Sequence, residues 1–417
     1  MTRTSSAAGS QQTSFRASVP TAVVWDPALL DYRFNAAHPM DPVRLELTER
    51  LCSEFGIFED PQVSLLAPGI ASDEVLSSIH DPAYIEAVRA GSSRGEASAE
   101  HGLGTEDTPV FPELHEGAAR IAEGTLRCAE ALLEGTAVHA VNFAGGMHHA
   151  FRAKAGGFCV YNDVALAIHR LLEPGAGRTG AQRVLYLDVD AHHGDGTQSI
   201  FYDDPRVMTL SLHQTGTTLF PGTGFPNETG GGGPAAAEGT AVNIALPPGT
   251  GDAGWLRAFH AVVPQLVRAF EPEVIVSQHG CDSHAGDPLS DLQLSVDAQR
   301  QMALDVSHLA EEYAGNRWIA TGGGGYAVHD VVPRSWTHLT AVATGSPLRL
   351  HTEVPQAWRD YVRSACEVEA PQTMGDEAAL WWRSWELGYD PSDAVDRAVM
   401  QTRREIFPLY GLDPWYD

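Results

Sequence analysis

Mainly apolar stretches recur at 21–25, 138–143, 184–189, 207–212, 274–277 and 318–320. Runs this short, with no strict alternation of polar residues, predict strands buried on both faces, the pattern of a parallel sheet. Between them lie segments whose apolar positions return every three or four residues, as at 116–133, 164–172, 256–270 and 296–313, and these predict helices. Strands alternating with helices predict a single-domain α/β fold, a doubly wound and mostly parallel sheet with helices on both faces.

The polar positions that break this pattern are not scattered. Clusters at 142–149, 188–195, 211–224, 279–287 and 322–326 each follow a predicted strand. In an open parallel sheet, ligands bind outside the carboxyl ends of the strands, so five motif-bearing loops are expected to converge on one rim. Segments 90–105 and 226–239, rich in Gly and short polar residues, are expected to be mobile and to border the mouth of that site. The pattern changes near 345. The expected organisation is a disordered tail over 1–19, a main chemistry-bearing domain over 20–345, and a helical extension over 346–417 packed on it. A helix is expected at 392–406, with Val395, Val399 and Ile406 on one face.

Composition excludes several classes. No stretch approaches eighteen apolar residues, so no membrane span is expected. The first nineteen residues carry neither an apolar segment nor a cleavage pattern, and the expected location is the cytoplasm. A formal charge of −27 argues against direct nucleic-acid binding and favours basic partners. Cys52, Cys128, Cys159, Cys281 and Cys366 are odd in number and widely spaced, which supports neither a disulfide framework nor a thiolate metal site.

The chemistry concentrates in three motifs. In Asp188-Val189-Asp190-Ala191-His192, alternate residues of an extended chain share a face, so three ionisable groups point one way. Such a set is costly to desolvate without a counter-charge, and an Asp/His pair two apart suits a divalent ion. Asp287 is the candidate for a third ligand, which leaves the open position of a catalytic metal site. His148 and His149, after a glycine pair, offer proton transfer near neutral pH, and Asp188 and Asp195 are spare carboxylates that can fix their tautomers. The run Gly322 to Gly325 lacks the Lys-Ser/Thr ending of a phosphate loop and instead aims Tyr326 at the rim, where its hydroxyl can serve a developing oxyanion.

With these motifs assembled, the sequence resembles the class I histone-deacetylase-like branch of the arginase/deacetylase superfamily, in particular bacterial acetoin utilization proteins. The resemblance runs from about 25 to 340 and includes His38-Pro39-Met40 leading to Arg44, His80-Asp81-Pro82 with Tyr84, and Glu106-Asp107-Thr108-Pro109. It implies that Asp190, His192 and Asp287 bind zinc, with iron(II) as the other ion this donor set accepts. It implies two His–Asp pairs, from His148 and His149 with Asp188 and Asp195, and a carbonyl-polarising Tyr326. Asp107 would hold the substrate backbone at the rim. Gly157, Phe158 and Phe220 would flank an apolar tunnel for a lysine stem, with Met147 and Leu289 in its walls. Arg44 matches an arginine that lines an acetate-exit path. Asp188, Asp190, His192, Ser211 and Leu212 match a monovalent-cation site that the family fills with potassium. Where arginase-type relatives carry a further Asp for a second metal, this chain has Gly194, which implies one catalytic metal.

The implied activity is hydrolysis of N-acetyl-lysine amides in proteins, possible targets being an acetylated acyl-CoA synthetase or histone-like proteins. Two rivals stand beside it. Acetylpolyamine hydrolysis uses similar machinery, and Asp107 read as a peptide clamp argues against it. A non-catalytic acetyl-lysine-binding module is disfavoured by the retention of Tyr326 and both histidines. His279 and His284, within Gln278-His279-Gly280-Cys281-Asp282-Ser283-His284, have no role assigned by sequence.

Overall fold

The structure, a computed structural model, describes residues 18–175, 180–231 and 237–417. All but the last two residues of the expected tail, and part of the 226–239 segment, therefore lie outside the described residues. One sheet of eight strands organises the chain: β1 (Thr21–Val24), β2 (Val63–Leu66), β3 (His139–Asn142), β4 (Val184–Asp188), β5 (Val207–Gln214), β6 (Ala241–Leu246), β7 (Val274–Gln278) and β8 (Trp318–Thr321). Its order is β2-β1-β3-β8-β7-β4-β5-β6, and every neighbouring pair is parallel.

The six strands expected from sequence are buried along their whole length, as an apolar run between two helical layers requires. The two not expected are both edge strands. β2 is short and half exposed, with Leu65 49% exposed, and in β6 the buried Asn243 interrupts the apolar run. The five motif-bearing loops follow β3, β8, β7, β4 and β5, which are five adjacent strands of the sheet. Their carboxyl ends form one continuous rim.

Helices cover both faces. Helix Leu114–Glu134 lies on β1 and β3 and against helix Asp163–Leu172. Asn162 caps the second helix by accepting from Ala165 N, and Ser295 does the same for helix Val296–Tyr313 through Ala298 N. The 90–105 segment departs from expectation. Its first residues complete helix Pro82–Arg94, which ends on Gly95 in the left-handed conformation, and the remainder is pinned by a bridge between Ser98 and Leu103 and by Ala155 N donating to His101 O.

After 345 the chain folds back on the sheet layers. Helix Gln356–Cys366 buries Trp358 and Val362 against Leu47 and Leu51, and Trp358 Nε1 donates to Leu47 O at 2.9 Å. Helix Ala394–Ile406 packs on β6 and on helix Asp252–Phe270, across which Arg257 and Asp396 form a fully buried pair at 2.5–2.7 Å. Among the described residues no helix is long and apolar enough to cross a membrane.

Candidate active site

The loop after β3 is tied down at its start. The Asp163 carboxylate accepts from Gly146 N and Met147 N, the latter at 2.7 Å. Gly146 takes φ 94° and lies so close to Gly322 O that no side chain fits there. This turn directs His148 and His149 inward with ring centroids 4.0 Å apart. His148 Nδ1 donates to Asp188 Oδ2 at 2.8 Å, and Tyr186 OH donates to the same oxygen at 2.7 Å. His149 Nδ1 donates to Asp195 Oδ1 at 2.7 Å.

The two rings differ in proton affinity. Burial pulls His148 down, but the carboxylates of Asp188 and Asp190 more than offset this and raise it to about 9. Burial and the neighbouring His148 charge hold His149 below its ordinary value despite Asp195.

Asp190, His192 and Asp282 gather their ligand atoms within 4.8 Å of one another, all buried. His192 Nδ1 is 2.9 Å from Asp282 Oδ2 and 3.2 Å from Asp190 Oδ1. Asp190 Oδ2 accepts from Gln278 Nε2 and Gly324 N, which fixes its rotamer from β7 and from the loop after β8. Asp287 stands beside this cluster, its Oδ2 accepting from Tyr326 N at 2.7 Å and its Oδ1 from Leu289 N at 3.0 Å. Burial and the charge of Asp190 push both Asp282 and Asp287 up. Buried carboxylates raised by mutual repulsion beside an imidazole are a donor set that a divalent cation satisfies. Gly194 leaves no space for a further carboxylate, because its Cβ would collide with Asp188 Oδ2.

A narrow pocket opens onto these groups and is lined by Met40, Met147, both histidines, Asp190, His192 and Tyr326 among others. Phe158 meets the Tyr326 ring edge-on at 5.7 Å and is held at φ 66°, a conformation that a bulky residue adopts only where its surroundings fix it. Gly157 packs against the His149 ring too closely to admit a Cβ. Phe220, half exposed, meets His149 edge-on at 5.0 Å and His192 at 6.4 Å. Leu289 is half-buried next to Asp287.

Asp107 lies in a loop, and its carboxylate accepts from Thr108 Oγ1; the following helix starts only at Leu114, so Asp107 caps nothing. Arg44 is buried, donates to Gly323 O and Gly325 O, and stacks on Trp336 at 5.0 Å. It lines a second small cavity with Tyr32, Met40 and Met147. Ser211 is the register partner of Asp188 and meets His213 Nδ1 at 2.8 Å, with Leu212 buried next to it.

The structure thus brings His148, His149, Asp188, Asp190, Asp195, His192, Asp287 and Tyr326 to one rim and adds Asp282, which the sequence reading passed over. The signal for Asp282 was an acid five residues before Asp287 on the loop after a buried strand. His279 is a core residue, 2.8 Å from Ser277 Oγ and held neutral by burial, which lowers it to about 3. His284 reaches Asp376 of the C-terminal segment.

A histone deacetylase domain model matches residues 38–343. The acetoin utilization protein AcuC of Bacillus subtilis (strain 168) is 39% identical over 388 residues, covering 92% of this chain and 97% of its own length. The protein of the same description from Staphylococcus xylosus is 40% identical over 329 residues, covering 78% and 83%. A crystal structure of an HDAC homolog from Aquifex aeolicus aligns with a TM-score of 0.76 at 28% identity, over 92% of this chain and 99% of that one. On these grounds the chain belongs to the histone deacetylase family, in its acetoin utilization protein branch, and is a hydrolytic deacetylase.

Proposed function

We propose that the protein removes acetyl groups from lysine side chains of proteins or peptides, by a single divalent ion, zinc by preference, held on Asp190, His192 and one further carboxylate. The observation that carries this reading is the pairing of a proton-rich and a proton-poor histidine on the same pocket as the Asp190–His192 pair and Tyr326. The ion would polarise the acetyl carbonyl and acidify water. The lysine stem lies between Phe158 and Phe220. His149, with Nδ1 committed to Asp195, takes the proton of the attacking water on Nε2. His148, its Nδ1 held by Asp188, gives a proton from Nε2 to the departing amine as the C–N bond breaks. The Tyr326 hydroxyl, kept protonated by burial, donates to the developing oxyanion. Acetate and a free lysine amine result. Asp188 and Ser211, side by side on β4 and β5, are the place for the potassium ion the resemblance implies.

Two carboxylates compete for the third metal position. Family resemblance favours Asp287, and the gathered donors favour Asp282. Metal content separates them. The Asn variant of the true ligand loses the ion, whereas that of its neighbour weakens binding by about 10–100-fold, the usual cost of an outer partner.

The substrate class is tested through Asp107. A carboxylate at the rim can accept backbone N–H groups flanking an acetyl-lysine, and such charged hydrogen bonds are worth about 1.5–3 kcal/mol. Asp107→Ala is expected to lower kcat/KM on acetyl-lysine peptides by about 10–100-fold and to leave acetylpolyamines unaffected. Equal losses on both, or a wild type that prefers acetylpolyamines, would overturn the peptide reading.

A further inference from the structure

His284 stands inside the loop that carries Asp282 and Asp287, three residues before the latter. Its ring bridges two parts of the molecule. Nδ1 accepts from Gly286 N at 2.9 Å, which leaves the proton on Nε2, and Nε2 donates to Asp376 Oδ2 at 2.9 Å. The turn closes when Asp287 N donates to His284 O at 2.9 Å.

Asp376 lies 92 positions along the chain, beyond the sheet and all the motif loops. Its Oδ1 accepts from Arg334 Nη1 at 2.7 Å, and its Oδ2 also accepts from Val296 N at 2.7 Å. Its own backbone is anchored in turn: Asp376 N and Ala378 N donate to the two oxygens of Asp297 at 2.6 and 3.1 Å. Met374 is fully buried beside it, and its carbonyl meets His338 Nε2 at 3.1 Å. The carboxylate facing His284, and the backbone that carries it, are therefore held by two helices, Val296–Tyr313 and Val331–Ala343.

We propose that Asp376 is a positioning residue for the metal site, acting through His284 to set the turn that presents Asp282 and Asp287. The C-terminal segment thereby completes the site without touching it. A metal-ligand loop whose free carboxylates repel one another needs such an outside restraint, and partners of this kind commonly govern affinity. The inference rests on the metal reading proposed above.

The test is the zinc affinity of the full-length protein, measured by competition with a chromogenic chelator, alongside the melting temperature of the metal-stripped form. His284→Ala leaves the Arg334–Asp376 pair in place, and is expected to weaken zinc by about 10–100-fold. The metal-stripped melting temperature should move by no more than about 2 °C, since a peripheral side chain is removed from a large domain. His284→Asn keeps an acceptor for Gly286 N but cannot reach Asp376. It should bind zinc as weakly as His284→Ala, and Asp376→Asn should fall in the same range. The double variant of His284→Ala with Asp376→Asn should be no weaker than His284→Ala alone. Wild-type affinity in His284→Ala, or full recovery in His284→Asn, would overturn the positioning role of Asp376 and leave the metal site standing. A wild type that takes up no zinc would instead sink the metal reading itself and this inference with it.

Discussion

The two His–Asp pairs share chemistry and differ in surroundings. His148 and Asp188 are sealed, with side chains 3% and 0% exposed, whereas Asp195, the partner of His149, is 11% exposed and borders an open groove. Both imidazoles are buried, so desolvation alone would drive both neutral. The difference comes from neighbours. His148 faces a second carboxylate, with Nε2 at 4.0 Å from Asp190 Oδ2, while His149 faces the cation that results. One pair therefore stores a proton and the other is free to take one. On the mechanism proposed above, a pair of titratable groups pushed apart in this way divides into acid and base.

The largest expected effect breaks that division directly. On that mechanism His149→Ala removes the base, and kcat should fall by up to about 10⁴, the upper range for a positioned proton acceptor. His148→Ala should cost less, about 10²-fold, because the acid acts only on the departing amine. The pH profile sharpens the comparison. His149 lies below 6.5, so it is neutral over the working range and kcat/KM falls only as pH drops below that value. His148, raised to about 9 in the metal-free protein, is protonated below that pH and loses its proton above it, giving an alkaline limb. With an ion on Asp190 that carboxylate pulls less on the His148 proton, so the limb of the loaded enzyme lies lower. In His148→Ala the alkaline limb should vanish and the acid limb should rise, since the neighbouring cation no longer holds His149 down. An unchanged acid limb would show that burial alone sets His149.

How far these pairs were legible in sequence follows from what makes them. The five loops were visible because a strand buried on both faces must be apolar throughout, so each polar motif marks a strand's end. β6 escaped because Asn243 interrupts its run, and β2 because an edge strand need not be apolar. Asp188, Asp190 and His192 were readable from spacing alone. Asp282 was not, since its place is set by Ala191 N and His192 Nδ1 about ninety positions away, and a contact between distant loops leaves no local pattern. The link between His284 and Asp376 was hidden for the same reason. The extension appeared in sequence only as a change of texture, and its reach to the loop of Asp282 and Asp287 depends on how two segments pack.

The smallest expected effect concerns what keeps water from the outer pair. Phe220 is half exposed and lies edge-on to His149 at 5.0 Å, while His148 has no ring contact with Phe158 or Phe220. Removing that ring affects two quantities. On the proposed reading the substrate stem loses one apolar wall, and an aromatic contact of this kind is worth about 0.5–1.5 kcal/mol, so KM should rise by about 2–10-fold with kcat little changed. His149 also gains access to water, which relieves part of the desolvation that depresses it, so the acid limb of kcat/KM should move up toward 6.5. The alkaline limb should stay where it is, because His148 remains sealed behind Tyr186 and Asp188. Steady-state kinetics of Phe220→Ala across the pH range read all three at once. A shift of both limbs together would mean that the two pairs share one solvent environment and that His148 is not sealed from the tested face.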